Sequence, residues 1–149
     1  MMSWGDVKMD GVEDLDRTLQ KLAKIKGSVE AEIVKVLSTV RNSILNTTKD
    51  GIDIDGKPFK SYSPKYMVRR ADNHRQTRPV SLTWTGNMLR SMKVFRISNG
   101  GEIRFDSTRA NDLAVKHNTG GRVPKREFFG LNKENIDYIE KKLADRIPL

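Results

Sequence analysis

Side chains able to do acid–base or metal chemistry are scarce in this chain: it has two histidines, His74 and His117, and no cysteine. Without a thiol, disulfides and thiolate catalysis are excluded, and a zinc centre would have to lean on carboxylates, for which no HExxH-like spacing exists. His117-Asn118 invites comparison with an HNH-type nuclease, but such a site needs further histidines. Asp50, Asp53 and Asp55 followed by Gly56 suggest a calcium loop. A loop opening at Gly51, however, has Tyr62 at its twelfth position, where a bidentate glutamate is required. GxSxG, a Walker loop and GxGxxG are missing, and Gly120-Gly121 signals a turn. The expectation is a protein that is not an enzyme and carries neither metal nor cofactor. The aspartates form a solvated turn, and His117 sets the path of a loop or lies at a subunit contact.

Binding is the better-represented chemistry. The chain of 149 residues carries a net charge of +9, which calls for an anionic neighbour, either nucleic acid or an acidic protein surface. Between Lys57 and Arg78 the bases Lys60, Lys65, Arg69, Arg70, Arg75 and Arg78 stand with Tyr62 and Tyr66 against a single acid, Asp72. Residues 67–80 are expected to be an exposed basic loop, because ADNHRQTRP has no apolar period. It suits phosphate contacts with some base stacking, an acidic neighbouring subunit, or plain solvation. The second stretch is LAVKHNTGGRVPKREFFG, from Leu113 to Gly130. Its expected form is a buried apolar segment, a Gly120-Gly121 turn, and a stiff basic strap around Pro124 pinned by Phe128 and Phe129.

That stretch, with His117, Asn118, Gly120, Arg122, Pro124, Arg126 and Phe128-Phe129, resembles the signature of the phage virion morphogenesis family. Its members are tail-completion or neck proteins of Mu-like and related tailed phages. Two further segments fit the same pattern in the same order, DGKPFKSYSPKY (residues 55–66) and LTWTGNMLRSM (residues 82–92).

The elements that must position these stretches follow from hydrophobic period. The first fourteen residues lack one and are expected to be loosely held, residues 1–11 above all, with Trp4 an available anchor. Val12, Leu15, Leu19, Leu22 and Ile25 recur at helical spacing, and after Gly27-Ser28 a stronger stripe runs from Val29 through Ile33, Val36, Leu37, Val40 and Ile44 to Leu45. Gly27 either separates two helices or kinks one. Both stripes read as core, with part of the first available to a neighbouring subunit. Ser63-Pro64 predicts the start of a short helix reaching about Ala71. Thr85 caps a short helix containing Met88, Leu89 and Met92.

Lys93–Ile97 and Glu102–Phe105 flank Ser98-Asn99-Gly100-Gly101 as a hairpin, with Phe95, Ile97, Ile103 and Phe105 expected on one apolar face and arginines on the other. A polar connection over residues 107–112 precedes the focal stretch. Ile136, Ile139 and Leu143 predict a C-terminal helix over residues 134–146, ended by Ile147-Pro148.

The expectation is one α+β domain over residues 1–149: N-terminal helices on a small antiparallel sheet, with a C-terminal helix. No apolar run approaches the ~20 residues of a membrane span, no signal peptide is visible, and the absence of cysteine suits a protein made in a reducing cytoplasm. The resemblance implies a structural protein that completes the tail or joins head and tail of a tailed phage or prophage. It implies a homo-oligomeric ring, six-fold or twelve-fold, in the neck of the virion, made in the host cytoplasm and adjoining other neck and tail proteins. Residues 60–80 and the 122–129 strap are the two patches expected to meet around such a ring, with genomic DNA passing through. The alternative is a nucleic-acid-binding protein without sequence preference, acting through residues 57–78.

Overall fold

In the computed structural model, Arg17, residues 29–98 and residues 100–146 are described; the expected first helix, the Trp4 anchor and the Ile147-Pro148 stop lie outside them. The apolar stripe of the second helix is borne out as α1, Val29–Lys49. Ile33, Val36, Leu37, Val40 and Ile44 are all buried, while Glu30 and Glu32 at its start and Lys49 at its end complement the helix dipole. Gly51, at φ 78°, turns the chain out of α1, and a Cβ there would sit 2.7 Å from that of Pro79. In the turn that follows, the Asp53 carboxylate accepts the N–H groups of Asp55 and Lys57, each at 2.9 Å, so it closes the turn on itself.

Helix α2, Pro64–Asp72, starts as its sequence requires: Ser63 is the N-cap, its hydroxyl accepts the Tyr66 N–H at 3.2 Å, and Pro64 opens the helix. The short α3, Asn87–Arg90, has Gly86 rather than Thr85 at its cap. Gly86 takes the left-handed conformation, which Thr85 would resist, and the Thr85 hydroxyl instead accepts the Asn87 N–H.

Strands β1, Met92–Ile97, and β2, Gly100–Phe105, form the one two-stranded antiparallel sheet among the described residues. Each strand alternates, but the two apolar sets fall on opposite faces, which corrects the expected single apolar face. Pairing joins odd positions of β1 to even positions of β2, so Phe95 lies opposite Glu102, while Met92 and Val94 lie opposite Phe105 and Ile103. The core side of β1 is therefore Met92 and Val94. Phe95 is on the outer side, with the Arg104 guanidinium 3.8 Å from its ring centre, and Ile97 is left exposed.

The polar connection expected over residues 107–112 is helical. Helix α4, Thr108–Thr119, is capped by Ser107 and buries Ala110, Ala114 and Asn118, leaving Leu113 exposed. Helix α5, Lys133–Arg146, buries Ile136, Ile139 and Leu143 as its pattern requires. It packs on α1, and Arg146 closes that contact with an ion pair to Glu32 at 2.8 Å. The core lies between α1, the inner face of the hairpin and α5. Phe105 packs edge-on to Phe129 and Phe128, with ring centres 5.0 and 6.2 Å away. The fold is α+β, helices on a small antiparallel sheet with a C-terminal helix.

Candidate functional site: a basic groove walled by aromatic rings

The strap is built from the inside. Helix α4 ends at Gly120, whose φ of 81° reverses the chain. A Cβ there would approach the Lys125 backbone nitrogen to 3.2 Å, so the strap can lie directly against the turn only with glycine. Asn118, 6 % exposed, spans the resulting loop. Its amide donates to the Phe129 carbonyl at 2.6 Å, and its oxygen accepts the N–H groups of Phe128 and Phe129 at 3.0 and 3.1 Å. Arg126 reaches the other way. Its guanidinium donates to the carbonyls of Lys60 and Ser61 at 2.7 and 3.0 Å, tying the strap to the segment before α2.

Arg70 does the same on the other side. From α2 it donates to the carbonyls of Gln76 and Thr83, at 2.5 and 2.7 Å, and so holds the return segment. Tyr62 sits between the two cations, with Arg70 4.7 Å and Arg126 5.1 Å from its ring centre, and its hydroxyl accepts the Leu82 N–H. Arg70 and Arg126 are only 2 % and 4 % exposed, yet neither has a carboxylate within ion-pair distance among the described residues. Carbonyl dipoles and ring faces stabilise them in place of a counter-ion. Burial lowers the pKa of Arg126, opposed by Tyr62 and Tyr66, and it remains a cation.

These parts enclose an open groove of about 1020 Å³. Arg70, Arg90, Lys93, Arg109, Arg122 and Arg126 line it against one acid, Asp106, which Lys93 already pairs. That pairing holds the Asp106 carboxyl below its ordinary range. Tyr62, Tyr66 and Trp84 form one wall, and Arg69 and Arg75 lie 5.5 and 5.4 Å from the Trp84 ring centre. His117 also lines the groove. Its Nδ1 is buried without a partner, and desolvation, then the Arg126 charge, lowers its pKa, so it is neutral near neutral pH.

The expected site residues therefore divide. Asn118, Arg126, Phe128 and Phe129 are buried and engaged within the fold, so the part of the strap open to a neighbour is Arg122, Lys125 and the edge of Pro124. Residues 67–80 are not an exposed loop throughout: α2 continues to Asp72, and Arg70 and Val80 are buried. Arg70 leaves the set of free contact residues because its donors face inward, whereas Lys60, Lys65, Arg69, Arg75 and Arg78 are exposed. Tyr62, Ser63, Tyr66 and Arg70 from the first stretch and Arg122, Pro124 and Arg126 from the strap line the same groove, while Lys60, Lys65, Arg69, Arg75 and Arg78 lie outside its lining. Trp84 and Arg90, from the 82–92 block, and Arg109 also belong to the groove. Arg109 follows the Ser107 cap, a signal in the sequence that would have placed it in the first turn of α4.

Among the described residues no three His, Asp or Glu side chains gather as a metal-ligand set, and no helix is long and apolar enough to cross a membrane. In comparisons with known protein families, characterised proteins and solved structures, nothing matches this chain.

Proposed function

We propose that this chain is a structural assembly protein of a tailed phage or prophage, acting at the neck or tail end as a homo-oligomeric ring rather than as a catalyst. One observation carries the reading: the three separated blocks that bear the family resemblance, residues 55–66, 82–92 and 113–130, all contribute lining to the same groove. The polar side chains at its heart, Arg126, Arg70 and Asn118, hold main-chain atoms, which is the work of shaping a surface. Among the described residues, His117 Nδ1 has no hydrogen-bond partner to which it could pass a proton. The groove presents cations and ring edges, so its complement is an anionic surface.

A second reading has its own observation. Trp84 beside Arg69 and Arg75 is a place where a base stacks while phosphates meet guanidinium groups, as in binding of single-stranded nucleic acid without sequence preference. Light scattering after size exclusion, at low and high salt and with added DNA, separates the two. A discrete salt-stable ring indifferent to DNA is the expected outcome. A monomer or dimer that shifts onto DNA and is released by salt would replace the assembly reading with the second one.

A further inference from the structure

A ring needs two different patches that meet, and parts of both stretches expected to supply them, Tyr62 to Arg70 and Arg122 to Arg126, line one groove. We propose that this groove accepts the acidic segment Trp4–Asp16 of a second copy of the chain, giving a head-to-tail contact.

The groove asks for negative charge. Its cations outnumber its acids, for the one acid in its lining, Asp106, is already paired by Lys93. Arg109 and Arg122 are exposed at the rim, with no ion pair among the described residues. The apolar lining between these cations is the exposed Leu113 and the half-buried Pro124, with Leu82 and Met88 largely buried. A sugar–phosphate backbone satisfies the cations and leaves that surface uncovered. A peptide alternating acids with apolar side chains satisfies both.

Such a peptide is present in the chain. Residues 4–16 read WGDVKMDGVEDLD, five acids against one lysine, a side-chain net of −4 in a chain of net charge +9. Trp4, Val7, Met9, Val12 and Leu15 are interspersed, and no other thirteen-residue stretch has a comparable acidic excess.

The direction of the fold sets the geometry. Helix α1 begins at the hairpin tip, where Glu30 lies 3.8 Å from Arg96 and Ile33 packs on Gly100. The groove opens at the hairpin base, beside Ser91, Lys93 and Asp106. Strands of six residues separate the two ends by roughly 20 Å. Helix α1 thus begins at the end of the hairpin opposite the groove, which suits a contact that repeats from copy to copy. The inference rests on the assembly reading only for the closing of a ring.

Because the chain has no cysteine, single thiols report the contact cleanly. Full-length Gly11→Cys and Thr85→Cys chains, mixed and oxidised, are expected to form the mixed disulfide dimer. The yield falls on the order of tenfold when Arg109→Glu and Arg122→Glu are added to the Thr85→Cys chain. A mixed dimer no more abundant than with Asn46→Cys, on the exposed side of α1, overturns the proposal. So does a Gly11→Cys/Thr85→Cys chain that closes only on itself as a monomer, or duplex DNA shielding the Thr85→Cys thiol from alkylation where no mixed dimer forms. The disulfide reports the contact even where scattering finds no closed ring, so the two readings fail separately.

Discussion

Asn118 and Phe129 hold each other by a reciprocal pair of hydrogen bonds, amide to carbonyl at 2.6 Å and N–H to amide oxygen at 3.1 Å. With the Phe128 N–H also on the Asn118 oxygen, one side chain satisfies three main-chain groups that water does not reach. Asn118→Ala strands all three, and each buried orphan costs about 1–3 kcal/mol. The expected loss is about 3 kcal/mol or more, read as a lower urea midpoint. Asn118→Asp is also expected to destabilise, because its carboxylate faces the Phe129 carbonyl. A variant within experimental error of the parent would show that the loop does not depend on this bridge.

Arg126 offers a test of shape against charge. Its planar fork reaches two successive carbonyls, those of Lys60 and Ser61, which one ammonium cannot serve in the same geometry. Arg126→Lys is expected to cost about 1–3 kcal/mol although the charge is kept. The neighbouring Lys125 is exposed and its ion pair with Glu127 is solvated, so Lys125→Met stays within about 0.5 kcal/mol. Thermal unfolding of the two variants side by side decides it.

His117 gives the fold a pH dependence of definite sign. Its pKa is lowered from the ordinary 6.5 by burial first and by Arg126 second. The unfolded chain therefore binds the proton more readily than the folded one, and stability rises with pH across the window between the lowered value and the ordinary one. The neutral ring's contribution is fully present above the ordinary value and is lost as pH falls below it. His117→Gln is expected to flatten that part of the stability profile measured by urea titration. An unchanged slope would mean that His117 charges as easily folded as unfolded.

Gly100 and Gly101 set the distance between the hairpin and α1. A Cβ on Gly101 would lie 3.0 Å from the Leu37 side chain, and one on Gly100 3.0 Å from that of Ile33. Gly100 also has a φ of 134°, a conformation costly to other residues. Gly100→Ala is thus expected to destabilise more than Gly101→Ala, both by roughly 1–3 kcal/mol. Leu37→Val, which shortens the opposing side chain, is expected to recover part of the Gly101→Ala loss and none of the Gly100→Ala loss. Chemical denaturation of the single and paired variants tests that order.

What the sequence made legible is what hydrophobic period and local caps encode: α1, the Ser63-Pro64 start of α2, the hairpin and α5 all have strong stripes or turn chemistry. Helix α4 lacked such a stripe because its buried face is Ala110, Ala114 and Asn118, small or polar residues that a hydropathy pattern does not mark. Phe95 alternates correctly within its strand; its face is decided by pairing, which is a relation between strands. Arg70 and Arg126 are read as surface because arginine usually is. Their burial depends on carbonyls thirteen and sixty-six residues away along the chain, a distance no local pattern spans. The convergence of three blocks on one groove is tertiary for the same reason.

Arg70, Arg126 and Asn118 all grip the main chain, and every amino acid carries the same carbonyl. Lys60, Ser61, Gln76 and Thr83 can therefore be exchanged for other residues without removing the group being held. The constraint falls on the three gripping side chains, on Tyr62 between the two cations and on the Gly120 turn, and exposed rim positions such as Arg122 and Lys125 are free to drift. Two such proteins can keep the same cleft while their rims diverge to suit different neighbours.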